Sequence, residues 1–99
     1  MSGLKFLKTL EKTINERMNS PRPGSYTSTL AEAGPLRVSK KLGEEGVEVA
    51  LAAVAESPER LIEEAADLIY HLLVLIRLRG LKLEDIVSEL EKRHANQSK

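Results

Sequence analysis

Two pairs of carboxylates, Glu45/Glu48 and Glu64/Asp67, dominate the chemistry this chain can do. Residues three apart on a helix share a face, so each pair aims two acids the same way if its segment is helical. Between the pairs lie a run of small residues and a Ser57-Pro58 break. A turn there lets two helices pack antiparallel and point four carboxylates into one cleft. Four converging carboxylates repel one another unless a cation lies between them. All-oxygen ligands suit a hard ion, Mg²⁺ or Mn²⁺, rather than zinc or copper.

At 100° per residue, Lys41 falls on the face of Glu45 and Glu48, with Glu44 at its edge; Arg60, Glu64, Asp67 and His71 share a face of the following helix. Each residue also has a plainer reading. In a chain that is 30% charged, Glu and Lys at these spacings commonly form solvated pairs worth about 0.2–0.5 kcal/mol. Lys41 would then pair with Glu45, His71 would fill an interface, and Tyr26 would pin its Pro/Gly loop to the core. Two acidic pairs joined by a short connection and flanked by apolar residues favour a metal cage over four solvated acids. Both motifs end in an acid, where a di-iron carboxylate bundle needs Glu-x-x-His. There is also no Walker loop, dinucleotide fingerprint or Ser-His-Asp set.

The elements that position these groups read as helices. Leu7, Leu10, Ile14 and Met18 recur at helical steps over Leu4–Met18, which ends before the Pro21, Pro23 and Gly24 of the next loop. A short helix follows Ser25-Tyr26-Thr27 and stops at Ala33, before Gly34-Pro35. A long helix is expected over Pro35–Glu56, with Leu42, Gly46, Ala50 and Ala53 along a side narrow enough for a close neighbour. Gly46 costs about 1 kcal/mol against Ala inside a helix, which close packing would offset. Ser57 and Pro58 suit the N-cap and first turn of a helix running to about Arg79. A last helix spans Leu83–His94, with Ile86, Val87 and Leu90 inward. No alternating strand pattern occurs, so the fold class is all-α. The stretch Leu68–Leu78 is apolar nearly all round, and a helix of that kind must be buried on every side. A homodimer is the simplest way for a 99-residue chain to do this.

Composition bounds the rest. The chain reads as one domain, 1–99, with a core of about 4–94 and a polar tail at 95–99. Fifteen basic and fifteen acidic residues cancel, leaving no electrostatic footprint for nucleic acid, and three aromatics give little base stacking. Without cysteine there is neither a disulfide framework nor a thiolate metal site. No signal peptide or membrane-spanning run is evident, so a cytoplasmic protein without a membrane partner is expected.

Glu45-x-x-Glu48, fifteen intervening residues and Glu64-x-x-Asp67 together resemble the all-α nucleotide pyrophosphohydrolases of the MazG-like superfamily. More narrowly, the chain is similar to the phosphoribosyl-ATP pyrophosphohydrolase family. The similarity is carried by Gly24-Ser25-Tyr26-Thr27, by Lys41-x-Gly43-Glu44-Glu45-x-x-Glu48, and by Glu64-Ala65-Ala66-Asp67-Leu68-Ile69-Tyr70-His71-Leu72-Leu73. It covers about Leu7 to His94. The carboxylate motif is common to several nucleotide hydrolases; the Ser-Tyr-Thr stretch and the compact length narrow it.

That resemblance implies a four-to-five-helix MazG-like bundle completed by homodimerisation. It also implies Mg²⁺-dependent hydrolysis of phosphoribosyl-ATP to phosphoribosyl-AMP and pyrophosphate, the second step of L-histidine biosynthesis. Glu45, Glu48, Glu64 and Asp67 become the metal ligands, with Mn²⁺ a possible substitute. Glu44 and Lys41 become catalytic, with Glu44 or one of the ligands taking the water's proton and Lys41 meeting the pyrophosphate. Ser25, Tyr26, Thr27, Lys41 and His71 become substrate contacts, and Arg22, Arg37, Arg77 and Arg79 are available for the extra phosphate. Lys82 stands where a Ser-like helix cap is common, at a cost of about 1 kcal/mol. The chain carries no cyclohydrolase module and reads as the stand-alone form. Two alternatives remain: a house-cleaning nucleoside triphosphate pyrophosphohydrolase, and a non-catalytic helical dimerisation module.

Overall fold

A computed structural model describes residues 3–97. A 3-10 turn over Gly3–Lys5 leads into α1, Phe6–Asn19, followed by α2, Tyr26–Ala33; α3, Pro35–Ala55; α4, Pro58–Leu78; and α5, Leu83–Asn96. No strand occurs among the described residues. The helix ends follow local chemistry. Ser25 Oγ accepts the Ser28 N–H (3.2 Å) and Ser57 Oγ the Arg60 N–H (3.2 Å), satisfying orphan donors at the starts of α2 and α4. Gly80, at φ 77°, closes α4 in a left-handed turn. Its N–H reaches Arg77 O and the Leu81 N–H reaches Ile76 O (2.8 Å), the pairing of a Schellman cap. Expected boundaries hold to within two residues. The last helix runs on through Asn96, into the expected polar tail, whose final two residues lie outside the described ones.

α3 and α4 form the central hairpin, joined by Glu56 and Ser57 alone. The core gathers Ile14, Leu30, Val38, Leu73, Val74 and Ile76, with Leu10, Met18, Tyr70, Leu72, Leu75, Leu78, Leu83 and Ile86 packed against it. The apolar second half of α4 is therefore largely covered within one protomer by α1, α2, the start of α3 and the start of α5. This corrects the argument that this segment requires a partner. The uncovered apolar surface lies elsewhere: Leu36, Val47, Leu51 and Val54 of α3, the last 86% exposed, and Ile62 and Ile69 of α4.

The face α3 turns inward also differs from expectation. Val38, Glu45 and Ala52 are buried, a stripe seven residues apart. Ala50 and Ala53 are exposed, and a Cβ added to Gly46 would meet nothing within 4 Å. The small-residue side does not seat α4. On α5, only Leu83 and Ile86 approach the core, while Val87 and Leu90 are exposed, so the inward face expected there is one turn long. Its N-terminus is fixed from α1, because the Leu83 N–H donates to Glu11 Oε2 (2.7 Å) and the Lys82 N–H to Asp85 Oδ2 (2.9 Å). These bonds offset much of the cap that Lys82 was expected to lose. Arg77, a candidate phosphate contact by sequence, instead donates to Asn15 Oδ1 (2.7 Å) and Asn19 Oδ1 (3.2 Å), locking α4 to α1.

The core assignment has a direct consequence for stability. Leu73 is 2% exposed and Leu4 87%, so Leu73→Ala should cost about 2–5 kcal/mol in urea unfolding through lost transfer energy and a residual cavity. Leu4→Ala should stay within about 0.5 kcal/mol. Equal losses for the two would place the core elsewhere.

Candidate metal centre

The hairpin brings three of the four expected carboxylates together. Ligand oxygens of Glu45, Glu48 and Glu64 all lie within 4.8 Å of one another. Glu45 and Glu64 are buried and Glu48 is at the surface, so the cluster has a closed floor and an open side. Asp67 lies one turn beyond Glu64, exposed, and its charge is felt at Glu64, but it is not a member of the converging set. Glu64 is held asymmetrically. Oε2 accepts from the Arg60 guanidinium, which also binds Glu63 (2.6 Å) and Glu56 (3.4 Å). Oε1 is buried with no hydrogen-bond partner. A buried carboxylate oxygen without a donor is costly, and it is the feature a bound cation would satisfy. The all-oxygen donor set fits a hard divalent ion.

Lys41 and Glu44 lie on the same helix, toward its N-terminus. With Arg37 and Lys40 they line an open groove of about 370 Å³. None of the three cations makes an ion pair among the described residues. The plain reading of Lys41, a salt bridge to Glu45, is therefore not what the structure holds. Arg37 and Lys40 were not singled out together by sequence, because single charges on a helix seldom announce which neighbours share their groove.

The Ser25-Tyr26-Thr27 stretch is not a free loop but the opening turn of α2. Ser25 caps that helix. Thr27, buried, shares a hydrogen bond with the Tyr70 hydroxyl. Tyr26, half exposed, is 2.8 Å from His71 Nε2 through its hydroxyl. His71 is buried, with Nδ1 2.8 Å from the Asp67 carbonyl and 3.5 Å from Glu45 Oε1. The Tyr26 and Tyr70 rings stack at 6.0 Å between centroids, and the imidazole meets both edge-on at 5.7 and 5.2 Å. Two of the chain's three aromatics thus converge beside the carboxylates. Tyr26 and His71, both expected as substrate contacts, are hydrogen-bonded to each other, and Thr27 to Tyr70. Sequence gave no sign of this pairing, since the partners are 43 and 45 residues apart.

The electrostatics of the cage set a pH dependence. Burial first, and the adjoining Glu48 second, push the Glu64 carboxyl above the ordinary glutamate range, with Arg60 opposing. Because folding raises this pKa, the proton favours the folded state. That contribution is fully present below the ordinary glutamate value and is lost as pH rises through the raised one. In chelator, wild type should therefore lose heat stability relative to Glu64→Gln as pH climbs from the ordinary glutamate value of about 4 through the raised one. Calorimetry of both proteins across that range checks this; a gap in Tm independent of pH would contradict it.

Comparison with known proteins agrees with this geometry. The family model described as phosphoribosyl-ATP pyrophosphohydrolase matches residues 7–94. A phosphoribosyl-ATP pyrophosphatase of Pyrobaculum calidifontis is 52% identical over 87 residues, spanning 88% of this chain and 93% of that protein. One from Pyrobaculum islandicum is 51% identical over 88 residues, spanning 89% and 94%. The histidine biosynthesis bifunctional protein HisIE of Vibrio cholerae is 48% identical over 93 residues, 94% of this chain but 44% of that longer protein. A match that runs through both carboxylate motifs and nearly end to end makes this chain a member of the phosphoribosyl-ATP pyrophosphohydrolase family.

Proposed function

We propose that this chain hydrolyses the α–β phosphoanhydride of phosphoribosyl-ATP to phosphoribosyl-AMP and pyrophosphate, as the second step of histidine biosynthesis in the cytoplasm. The observation that carries the reading is the buried Glu64, one oxygen of which has no hydrogen-bond partner, converging with Glu45 and Glu48, in a chain of this family. Glu45, Glu48 and Glu64 would hold Mg²⁺, with Asp67 the fourth carboxylate on the same face of α4; Mn²⁺ shares the same oxygen preference. The ion, when bound, supplies charge neutralisation for the triphosphate and a water of lowered pKa.

The remaining work falls to the chain's own residues. The water oxygen bonds to the α-phosphorus as the bond from that phosphorus to the α–β bridging oxygen breaks, and pyrophosphate leaves with the electron pair. Glu44, exposed and next in sequence to Glu45, would take the water's proton. Lys41, with Arg37 and Lys40 in the same groove, meets the charge of the departing pyrophosphate. Arg60 holds Glu64 from the side away from its partnerless oxygen.

The partner we propose is a second copy. Leu36, Val47, Leu51, Val54, Ile62 and Ile69 leave one side of the hairpin apolar and exposed, and an isologous contact between two such faces would cover it. No helix among the described residues is long and apolar enough to cross a membrane, and equal numbers of acids and bases offer nucleic acid no attraction.

Pyrophosphate release at fixed magnesium tests the chemistry. Phosphoribosyl-ATP should exceed ATP and the deoxynucleoside triphosphates in kcat/KM by at least about 10²-fold, or about 2.7 kcal/mol, because the extra phosphate contributes positioning energy. Glu48→Gln and Asp67→Asn should each remove most activity without changing helical circular dichroism, and Lys41→Ala should cost about 10²-fold. Equal or better turnover of a deoxynucleoside triphosphate would assign the chain to house-cleaning. No pyrophosphate release at all would leave a dimerisation module.

For the assembly, light scattering should find a dimer at micromolar concentration, and Val54→Glu should shift it toward monomer. A wild type that stays monomeric and folded contradicts the proposed face.

A further inference from the structure

Neither the metal cage nor the basic groove uses the contact between the first turn of α2 and the middle of α4. Tyr26 and Thr27 are consecutive, as are their partners His71 and Tyr70. The two hydrogen bonds clip α2 onto α4 immediately beside the carboxylates. The imidazole lies between the two systems, with Nε2 on the Tyr26 hydroxyl and Nδ1 between the Asp67 carbonyl and the Glu45 carboxylate.

The donor roles follow from the partners. A peptide carbonyl only accepts, so Nδ1 carries the hydrogen toward Asp67 O. In a neutral ring Nε2 then holds the lone pair, and the Tyr26 hydroxyl donates to it. Nδ1 also lies 3.5 Å from Glu45 Oε1, a second and longer approach for the nitrogen that bonds Asp67 O, and His71 is the only basic side chain with a nitrogen within 4 Å of Glu45 among the described residues. Glu45 is 4% exposed, so solvent offers little to fix its orientation. Outer polar contacts orient the groups that bind a metal.

We propose that Tyr26 and His71 are positioning residues. The Tyr26 hydroxyl fixes the Nδ1–H tautomer of His71, and that N–H holds the Glu45 carboxylate and the Asp67 backbone in the arrangement that receives a divalent cation. This rests on the metal reading above and deepens it, and it moves both residues from substrate contact to support of the cage.

The test is Mn²⁺ binding to the substrate-free protein, followed by electron paramagnetic resonance of the free ion, with activity as a second readout. Asparagine places its amide nitrogen where His Nδ1 lies, whereas glutamine places one near Nε2, and both fill similar space. His71→Asn should therefore keep Mn²⁺ affinity near that of wild type, while His71→Gln and His71→Ala weaken it about 10–100-fold. Tyr26→Phe, a half-exposed change that removes one oxygen, should weaken binding severalfold with little change in Tm. It should also raise the magnesium needed for half-maximal rate more than it raises KM for substrate at saturating magnesium. If His71→Asn and His71→Gln weaken binding equally, or Tyr26→Phe binds Mn²⁺ as wild type does, the positioning role is wrong while the cage stands. If wild type binds no Mn²⁺, both fail.

Discussion

Mutual repulsion among three carboxylates is the constraint on which the rest of this structure depends. Glu45, Glu48 and Glu64 converge within 4.8 Å, and one oxygen of Glu64 is buried without a donor. Apolar packing of α3 on α4 forces this convergence, because Val38, Glu45 and Ala52 occupy one stripe and burying two of them carries the third inward. A purely structural hairpin would place an alanine or leucine at 45. A buried acid there, with two more carboxylates converging on it, is what separates this site from a solvated acidic surface.

The surroundings manage that repulsion without removing it. Arg60 bonds Glu56, Glu63 and Glu64, yet it is half exposed and so contributes little net stabilisation. Its effect is geometric, since it fixes one oxygen of Glu64 and leaves the other buried without a donor. The aromatic clip of Tyr26, Thr27, Tyr70 and His71 braces the opposite flank. Beyond Arg60, three further cations, Arg37, Lys40 and Lys41, line a groove of their own, where they can meet phosphate instead of cancelling the cage.

The carboxylate hairpin was legible because i,i+3 spacing and the Ser57-Pro58 punctuation are local signals, and local signals specify helices and their ends well. The five helices followed for the same reason. The exposed apolar face was not legible. A run such as Leu68–Leu78 looks as though it needs a partner, but α1 and α2, dozens of residues away in sequence, cover it. Val47 and Val54, scattered among glycine, glutamate and alanine, form the bare stripe instead. Contacts between distant segments were invisible altogether. Tyr26 to His71 and Arg77 to Asn15 join residues that no period connects, so side chains expected to meet substrate also tie one helix to another. Asp67 marks the opposite limit: its spacing was right, yet one helical turn separates it from the converging set.

The central claim is that this cluster is built around a divalent cation. The most direct measurement is the Tm of chelator-treated protein titrated with Mg²⁺, run beside K⁺ at matched ionic strength. Specific binding to the folded state must raise Tm with the logarithm of free Mg²⁺ beyond its dissociation constant, whereas simple screening acts through ionic strength alone. A rise with Mg²⁺ that K⁺ does not reproduce, and that Glu45→Gln abolishes, is the result expected. An equal rise with K⁺ would mean that the acids are only screened, and the account of the site would be wrong.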